Sequence, residues 1–160
     1  MGVTKTQEPQ NQVQYDTYVE KGPVQMGPWS THIFRTDPKH LGFLLSRYKF
    51  CAKMLQGKSD VLEVGCGDAF GTPVVLQSVQ KVHCIDFEPL VIEDTKTRFG
   101  SECIENITFS IHDITVAPMQ RKFDAAYSLD VIEHIPYESE DLFMLIIGKS
   151  LHRCYCNIMY

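Results

Sequence analysis

Residues 61–67 read Val-Leu-Glu-Val-Gly-Cys-Gly, and this stretch decides the fold. A short apolar run that ends in two closely spaced glycines is typical of a buried β-strand followed by a tight turn. Glycines at these positions let the backbone turn sharply and leave room for a ligand to approach it. Further apolar runs of strand length follow at residues 82–85, 107–111 and 123–128. We therefore predict four buried strands.

Helices are predicted before the first strand and between most of the others. The first begins at Asp37-Pro38, where an N-cap residue precedes a proline at the first helical position. Two more follow Thr72-Pro73 and Glu88-Pro89, and the last spans about residues 139–151. Short buried strands that alternate with helices predict an α/β fold, a doubly wound and mostly parallel sheet with helices on both faces.

Composition restricts the classes of partner. The chain has 160 residues, 44% of them hydrophobic, which is enough for one domain with a sizeable core. Fifteen Lys and Arg against 20 Asp and Glu give a net charge of −5, which argues against nucleic acid or an anionic membrane surface as a partner. No apolar run reaches membrane-spanning length, and the polar N-terminus has no signal-peptide core. We expect a cytoplasmic protein whose six cysteines are reduced thiols.

The chain divides into two parts. Residues 1–36 lack a regular apolar period: we expect about 20 frayed residues, then an ordered but irregular lead-in that contains Trp29. This lead-in either covers the edge of the core or forms a lid over a ligand. Residues 37–160 form the single folded domain.

Polar residues follow each predicted strand, at the edge of a parallel sheet where ligands bind. The first strand ends in the glycine loop, and the others end at Asp86, Asp113 and Asp130. Asp86 lies 21 residues after Gly65, a spacing at which a carboxylate can accept both hydroxyls of a ribose. Asp113 could accept an exocyclic amine, and the next backbone N–H could donate to a ring nitrogen. Together these features predict an adenosine pocket.

The glycine loop distinguishes between adenosine ligands. A dinucleotide fingerprint requires a third glycine where this chain has Phe70, and the nearest glycine is Gly71. Glu63 lies inside the strand, where its carboxylate would repel a pyrophosphate but would suit a ligand with an ammonium group. A nicotinamide-dependent oxidoreductase is therefore disfavoured, although binding of NADH would revive it.

Taken together, the motifs resemble those of the class I S-adenosylmethionine-dependent methyltransferases. Residues 61–69 resemble the first motif, Asp/Glu-x-Gly-x-Gly-x-Gly, with Ala69 in place of the third glycine. Residues 84–89, 112–114 and 123–135 resemble the second, third and fourth motifs, so the resemblance covers about residues 41–151. It implies a Rossmann-like sheet with a strand order of about 3-2-1-4-5.

The resemblance also implies site residues. Glu63 and the two glycines would lie near the methionine moiety of S-adenosylmethionine, Asp86 would hold the ribose, and Phe87 would pack on the adenine. Asp113 and the Ile114 backbone would bind the adenine edge, Leu129 and Asp130 would line the floor near the sulfonium, and Trp29 would belong to a lid. The expected cofactor-binding set is Glu63, Gly65, Cys66, Gly67, Asp86, Phe87, Asp113, Ile114, Leu129 and Trp29.

Catalytic candidates come from the stretch after the fourth strand. Asp130, Glu133 and His134 form Asp-x-x-Glu-His, which resembles a pattern with a metal role in ubiquinone-pathway O-methyltransferases. The alternative is that Glu133 and His134 cap and orient the loop. We take Asp130 and His134 as the catalytic candidates and predict no metal site. A base is needed only if the acceptor must lose a proton.

The predicted function is methyl transfer to a small-molecule acceptor. The family usually has seven strands. Residues 153–160 could add a fifth strand to the four predicted above, so we expect the last two to be lacking. A non-catalytic module that binds the cofactor or a partner, with dimerisation through the exposed sheet edge, is therefore the alternative. A nucleic-acid methyltransferase is disfavoured because no Asn/Asp-Pro-Pro-Tyr motif follows the fourth strand.

Overall fold

The structure, a computed structural model, describes residues 5–101, 104–152 and 157–159. Its sheet has five parallel strands in the order β3-β2-β1-β4-β5, which confirms the predicted α/β topology. Their bounds are β1 Asp60–Val64, β2 Lys81–Asp86, β3 Ile107–Ile111, β4 Ala125–Ser128 and β5 Asn157–Met159. Cys154 and Cys156 lie outside the described residues.

The central strand, β1, is paired on both sides. Val61 lies opposite Val82 of β2 and Ala125 of β4, and the pairing continues in register to Val64. Residues 61–64 are fully buried because helices cover both faces of the sheet. The chain runs from β1 to β2 and β3 on one side and then crosses to β4 on the other. Ligand crevices of doubly wound sheets open at this reversal of strand order.

In the part of the chain that the structure describes, six α-helices accompany the strands. They are α1 Gln12–Lys21, α2 Pro28–Thr36, α3 Pro38–Met54, α4 Thr72–Leu76, α5 Pro89–Ser101 and α6 Glu140–Lys149. Helices α3, α4 and α5 share one core cluster with the sheet. Helix α6 packs on the opposite face through Phe143, Ile146 and Ile147. Helices therefore cover both faces of the sheet, as the sequence predicted.

The N-terminal part differs from the expectation. The supposedly frayed stretch contains α1, which buries none of its residues, and the supposedly irregular lead-in contains α2. Helix α1 is supported locally, because Gln12 donates to Asp16 one turn later and Thr17 donates to the Val13 carbonyl. Pro28 occupies the first turn of α2, where its missing N–H costs no helical bond. Helix α1 has a weak apolar period, but α2 is clearly amphipathic, so the expectation of an irregular lead-in is wrong.

Candidate functional site

A cavity of about 710 Å³ lies at the carboxyl ends of β1 to β4. This volume is within the usual range for small-molecule sites. Eleven of the twelve residues predicted for the site line it, and the exception is Glu63. The strand-end residues and Trp29 of α2 are therefore brought together in one place, as the motifs required.

The glycine loop after β1 forms the floor of this cavity. Gly65 and Gly67 have φ angles of 69° and 51°, in the left-handed region that favours glycine. A Cβ atom built on Gly65 would lie 2.3 Å from a methyl of Val131, and one on Gly67 would lie 3.1 Å from Cδ1 of Trp29. The loop is thus a tight cradle that excludes side chains at both positions.

Ala69 occupies the family's third glycine position and keeps the backbone conformation that glycine favours there. Its φ is 52°, although it carries a Cβ atom, and its side chain is fully buried in the core. A left-handed alanine costs about 1–2 kcal/mol relative to a right-handed one. Ala69 thus adopts a backbone conformation that glycine would adopt at no steric cost.

The end of β2 fixes the glycine loop. The two oxygens of Asp86 accept hydrogen bonds from the Gly67 N–H at 2.9 Å and from the Glu88 N–H at 3.0 Å. Phe87, next to Asp86, lines the cavity with 70% of its surface exposed. An aromatic ring left so open at a cavity mouth is available to pack on a flat ligand.

The end of β3 supplies a polar edge of the cavity. Asp113 uses one carboxylate oxygen to accept from the backbone N–H and the hydroxyl of Thr115. Nε2 of His112 lies 2.8 Å from the Ala117 carbonyl oxygen, which anchors the loop on its outer side. Ile114 is buried in the core beneath the cavity.

Glu63 lies behind the glycine loop instead of lining the cavity. Its carboxylate accepts hydrogen bonds from the Tyr48 hydroxyl at 2.9 Å, the Thr72 hydroxyl at 2.6 Å and the Cys84 thiol at 3.4 Å. Burial raises the pKa of the Glu63 carboxyl, and hydrogen bonds, first that from Thr72, offset part of this rise. Glu63 thus reaches the cavity indirectly, through Tyr48, whose ring lines it.

The two catalytic candidates both line the cavity on the side of β4. Asp130 has a φ of 54° and forms a salt bridge with Arg47 of α3. His134 ends a short 3-10 helix, Ile132–His134, and is exposed. The ion pair neutralises the charge of Asp130, so His134 is the more available proton acceptor of the two.

Several lining residues were not predicted. Asp68, in the glycine loop, hydrogen-bonds Ser30 of α2, and Ile33, Leu44 and Tyr48 add the walls from α2 and α3. Aspartate after a glycine could have suggested a capping role, but its partner lies 38 residues away and has no local signal.

The described part of the chain offers neither a membrane-spanning helix nor a metal-binding cluster. None of its helices is long and apolar enough to cross a membrane. None of its groups of three or more His, Cys, Asp or Glu side chains is arranged to hold a metal ion.

Comparisons with known proteins agree with this geometry. The profile of a family described as a methyltransferase domain matches residues 61–147. That is more than half of the chain, which therefore belongs to the methyltransferase domain family. A search of curated proteins finds no match.

Solved structures share the fold. The N-methyltransferase NodS from Bradyrhizobium japonicum WM9, in complex with S-adenosyl-L-homocysteine (SAH), has a TM-score of 0.58 at 17% identity, over 68% of this chain and 55% of that one. A DhpI–SAH complex has a TM-score of 0.64 at 16% identity, over 80% of this chain and 61% of that one. Coclaurine N-methyltransferase bound to N-methylheliamine and SAH has a TM-score of 0.60 at 22% identity, over 72% of this chain and 34% of that one. The chain thus spans between 34% and 61% of the length of these three proteins.

Proposed function

We propose that the chain binds S-adenosylmethionine and transfers its methyl group to a small-molecule acceptor. One observation carries the proposal: eleven of the twelve residues predicted from the motifs line a single cavity. The family membership supports the reaction class, and NodS and coclaurine N-methyltransferase, which share the fold, are described as N-methyltransferases.

The residues present fit this cofactor. Gly65 and Gly67 carry no side chains, so the loop backbone lines the cavity where the methionine part would lie. Asp86 and Asp113 offer carboxylate oxygens for ribose hydroxyls and an adenine amine, while Phe87 offers a ring face. S-adenosylmethionine carries a transferable methyl on a sulfonium, and the protein's task is to hold that methyl in line with the attacking atom.

On the acceptor side, this chain would contribute positioning and one proton acceptor. Ile33, Leu44 and Val131 form an apolar wall that would exclude water from the acceptor. The Arg47–Asp130 pair leaves no net charge there to compete with an acceptor. His134 would take a proton from an acceptor that must lose one, such as a hydroxyl.

Titration calorimetry with SAH tests cofactor binding. Phe87→Ala removes an exposed ring and so is expected to preserve the fold while weakening SAH binding about tenfold, since stacking on an aromatic ring contributes about 1–3 kcal/mol per base. Phe43→Ala is the matched control, because Phe43 is 64% exposed and does not line the cavity. Absence of SAH binding by the folded protein, or equal loss in both variants, would overturn the proposal.

Activity is tested separately from binding. The protein is incubated with S-adenosylmethionine carrying a labelled methyl group and a panel of small hydroxyl and amine acceptors. Transfer that is lost in His134→Gln for hydroxyl acceptors supports His134 as the base. Tight SAH binding without transfer to any acceptor would favour the non-catalytic module instead.

A further inference from the structure

A carboxylate from the glycine loop accepts two hydrogen bonds from the start of helix α2. Asp68 accepts the Ser30 backbone N–H at 2.7 Å through Oδ2 and the Ser30 hydroxyl at 2.8 Å through Oδ1. Both residues are buried, with exposed fractions of 5% and 1%. This two-bond contact, which we call the Asp68 clasp, joins segments 38 residues apart.

The clasp supplies the cap that α2 lacks in its own sequence. The N-cap position is Gly27, which has no side chain to satisfy the free N–H groups of the first turn. Asp68 satisfies one of them and brings a negative charge to the positive end of the helix. The start of α2 is therefore stabilised by a residue of the glycine loop.

The residues around the Asp68 clasp are closely packed. A Cβ atom on Gly27 would lie 2.3 Å from Cβ of Asp68 and 2.6 Å from Nη2 of Arg98. Arg98 of α5 donates from Nη2 to the Asp68 carbonyl at 2.7 Å and from Nε to Asp94 at 2.7 Å. Arg98 of helix α5 thus stabilises the Asp68 clasp. Glycine is required at position 27, because a side chain there would clash with Asp68 and Arg98.

The clasp fixes two cavity residues. Trp29 immediately precedes Ser30, and its indole packs on Gly67. Ile33, about one turn further along α2, also lines the cavity. Both side chains depend on where α2 begins, and the Asp68–Ser30 hydrogen bonds tie that point to the glycine loop.

We propose that Asp68 is a positioning residue that holds α2 closed over the glycine loop, so that Trp29 covers the methionine end of the bound cofactor. The proposal rests on the proposed function for the identity of that cofactor. The same loop therefore both forms the cradle and closes it.

The first arm of the test needs no ligand. Trp29 is the single tryptophan of the chain, so acrylamide quenching of its fluorescence reports on α2 alone. Asp68→Ala is expected to raise the quenching constant about twofold, since Trp29 is 48% exposed in the closed position. Asp124→Ala is the matched control: Asp124 also accepts two backbone N–H groups from a distant segment, Ser59 and Asp60, but lies outside the cavity.

The second arm compares SAH with adenosine by calorimetry. Adenosine lacks the amino-acid part of SAH that Trp29 would cover. Asp68→Ala should therefore weaken the binding of SAH about tenfold and the binding of adenosine less than about twofold. Asp68→Asn retains an acceptor for the Ser30 N–H and should restore most of the affinity. Ser30→Ala removes the hydroxyl bond without touching the loop, and should produce a smaller effect of the same kind.

Three outcomes would overturn the proposal. The first is unchanged Trp29 quenching in folded Asp68→Ala or Ser30→Ala. The second is an equal loss of affinity for SAH and for adenosine in Asp68→Ala. The third is a selective loss of SAH affinity in Asp124→Ala. If the wild-type protein binds neither ligand, the proposed function fails. The quenching arm then still decides whether Asp68 holds α2.

Discussion

Replacing Tyr48 by phenylalanine removes one hydrogen-bond donor from the buried carboxylate of Glu63. The hydroxyl lies 2.9 Å from Oε1, and both side chains are buried. A hydrogen bond to a charged group contributes about 1.5–3 kcal/mol, and one between neutral groups about 1 kcal/mol. Burial raises the pKa of Glu63, so the charge that this hydroxyl stabilises grows with pH. We expect Tyr48→Phe to lower the free energy of unfolding by about 2 kcal/mol at pH 8 and about 1 kcal/mol at pH 5.

Urea unfolding at the two pH values measures both numbers, provided that the m-value is unchanged. Tyr137→Phe is the control, because its hydroxyl belongs to a side chain that is 82% exposed. Its removal should change the free energy of unfolding by less than about 0.5 kcal/mol. A loss in Tyr48→Phe that is the same at both pH values would refute the role of the Glu63 charge. An equal loss in Tyr137→Phe would refute the role of the hydrogen bond.

Three further changes test the packing and the electrostatics. Gly42→Ala, at an exposed position of α3 with nothing near the new Cβ, should raise stability by about 0.5–1 kcal/mol. Gly71→Ala, whose Cβ would lie 2.1 Å from the Tyr48 ring, should lower it by about 1–3 kcal/mol, and thermal unfolding measures both changes. Burial, followed by the charge of Arg121, lowers the pKa of His83 from 6.5 to about 4, so its contribution to stability is present above pH 6.5 and is lost as pH falls towards 4. His83→Gln should therefore reduce the loss of thermal stability between pH 6.5 and 4.5; an unchanged slope would contradict this.

The sheet and most of the site could be predicted because their signals are local. A strand and the residue at its carboxyl end are adjacent in sequence, so Asp86 and Asp113 could be assigned from the runs that precede them. Parallel pairing then brings the strand ends together without any further information. The cavity lining confirms that they meet.

The surroundings of Glu63 could not be predicted from β1. Alternation places residues 61 and 63 on the same face, but it does not say which polar groups lie there. Tyr48 comes from α3 and Thr72 from α4, and each is fixed by helix packing. The closed cluster around the carboxylate was therefore not foreseen, and the expectation that Glu63 lies near the methionine moiety of the cofactor stays a prediction.

The contact that holds the start of helix α2 and the ion pair of Asp130 could not be predicted for a related reason. Helix α2 is held at its start by Asp68, and Asp130 is held by Arg47 across 83 residues. Periodicity records which faces of an element are apolar, whereas these contacts each depend on two polar groups that meet only after folding. The role of residues 1–36 as a lid, dimerisation through the sheet edge and the cytoplasmic location stay predictions.

Under the proposed function, the position of β1 places one short loop beside both the cofactor and the acceptor. The chain leaves β1 towards β2 and β3 on one side and reaches β4 on the other, so the glycine loop lies between two separate walls. The β2 and β3 wall is built from strand ends, whose positions the sheet fixes. The opposite wall is built from α2, α3 and the loop after β4, whose side chains can change without altering the sheet. Selectivity for the acceptor would therefore reside in these segments, and the Asp68 clasp couples one of them to the loop that would hold the cofactor.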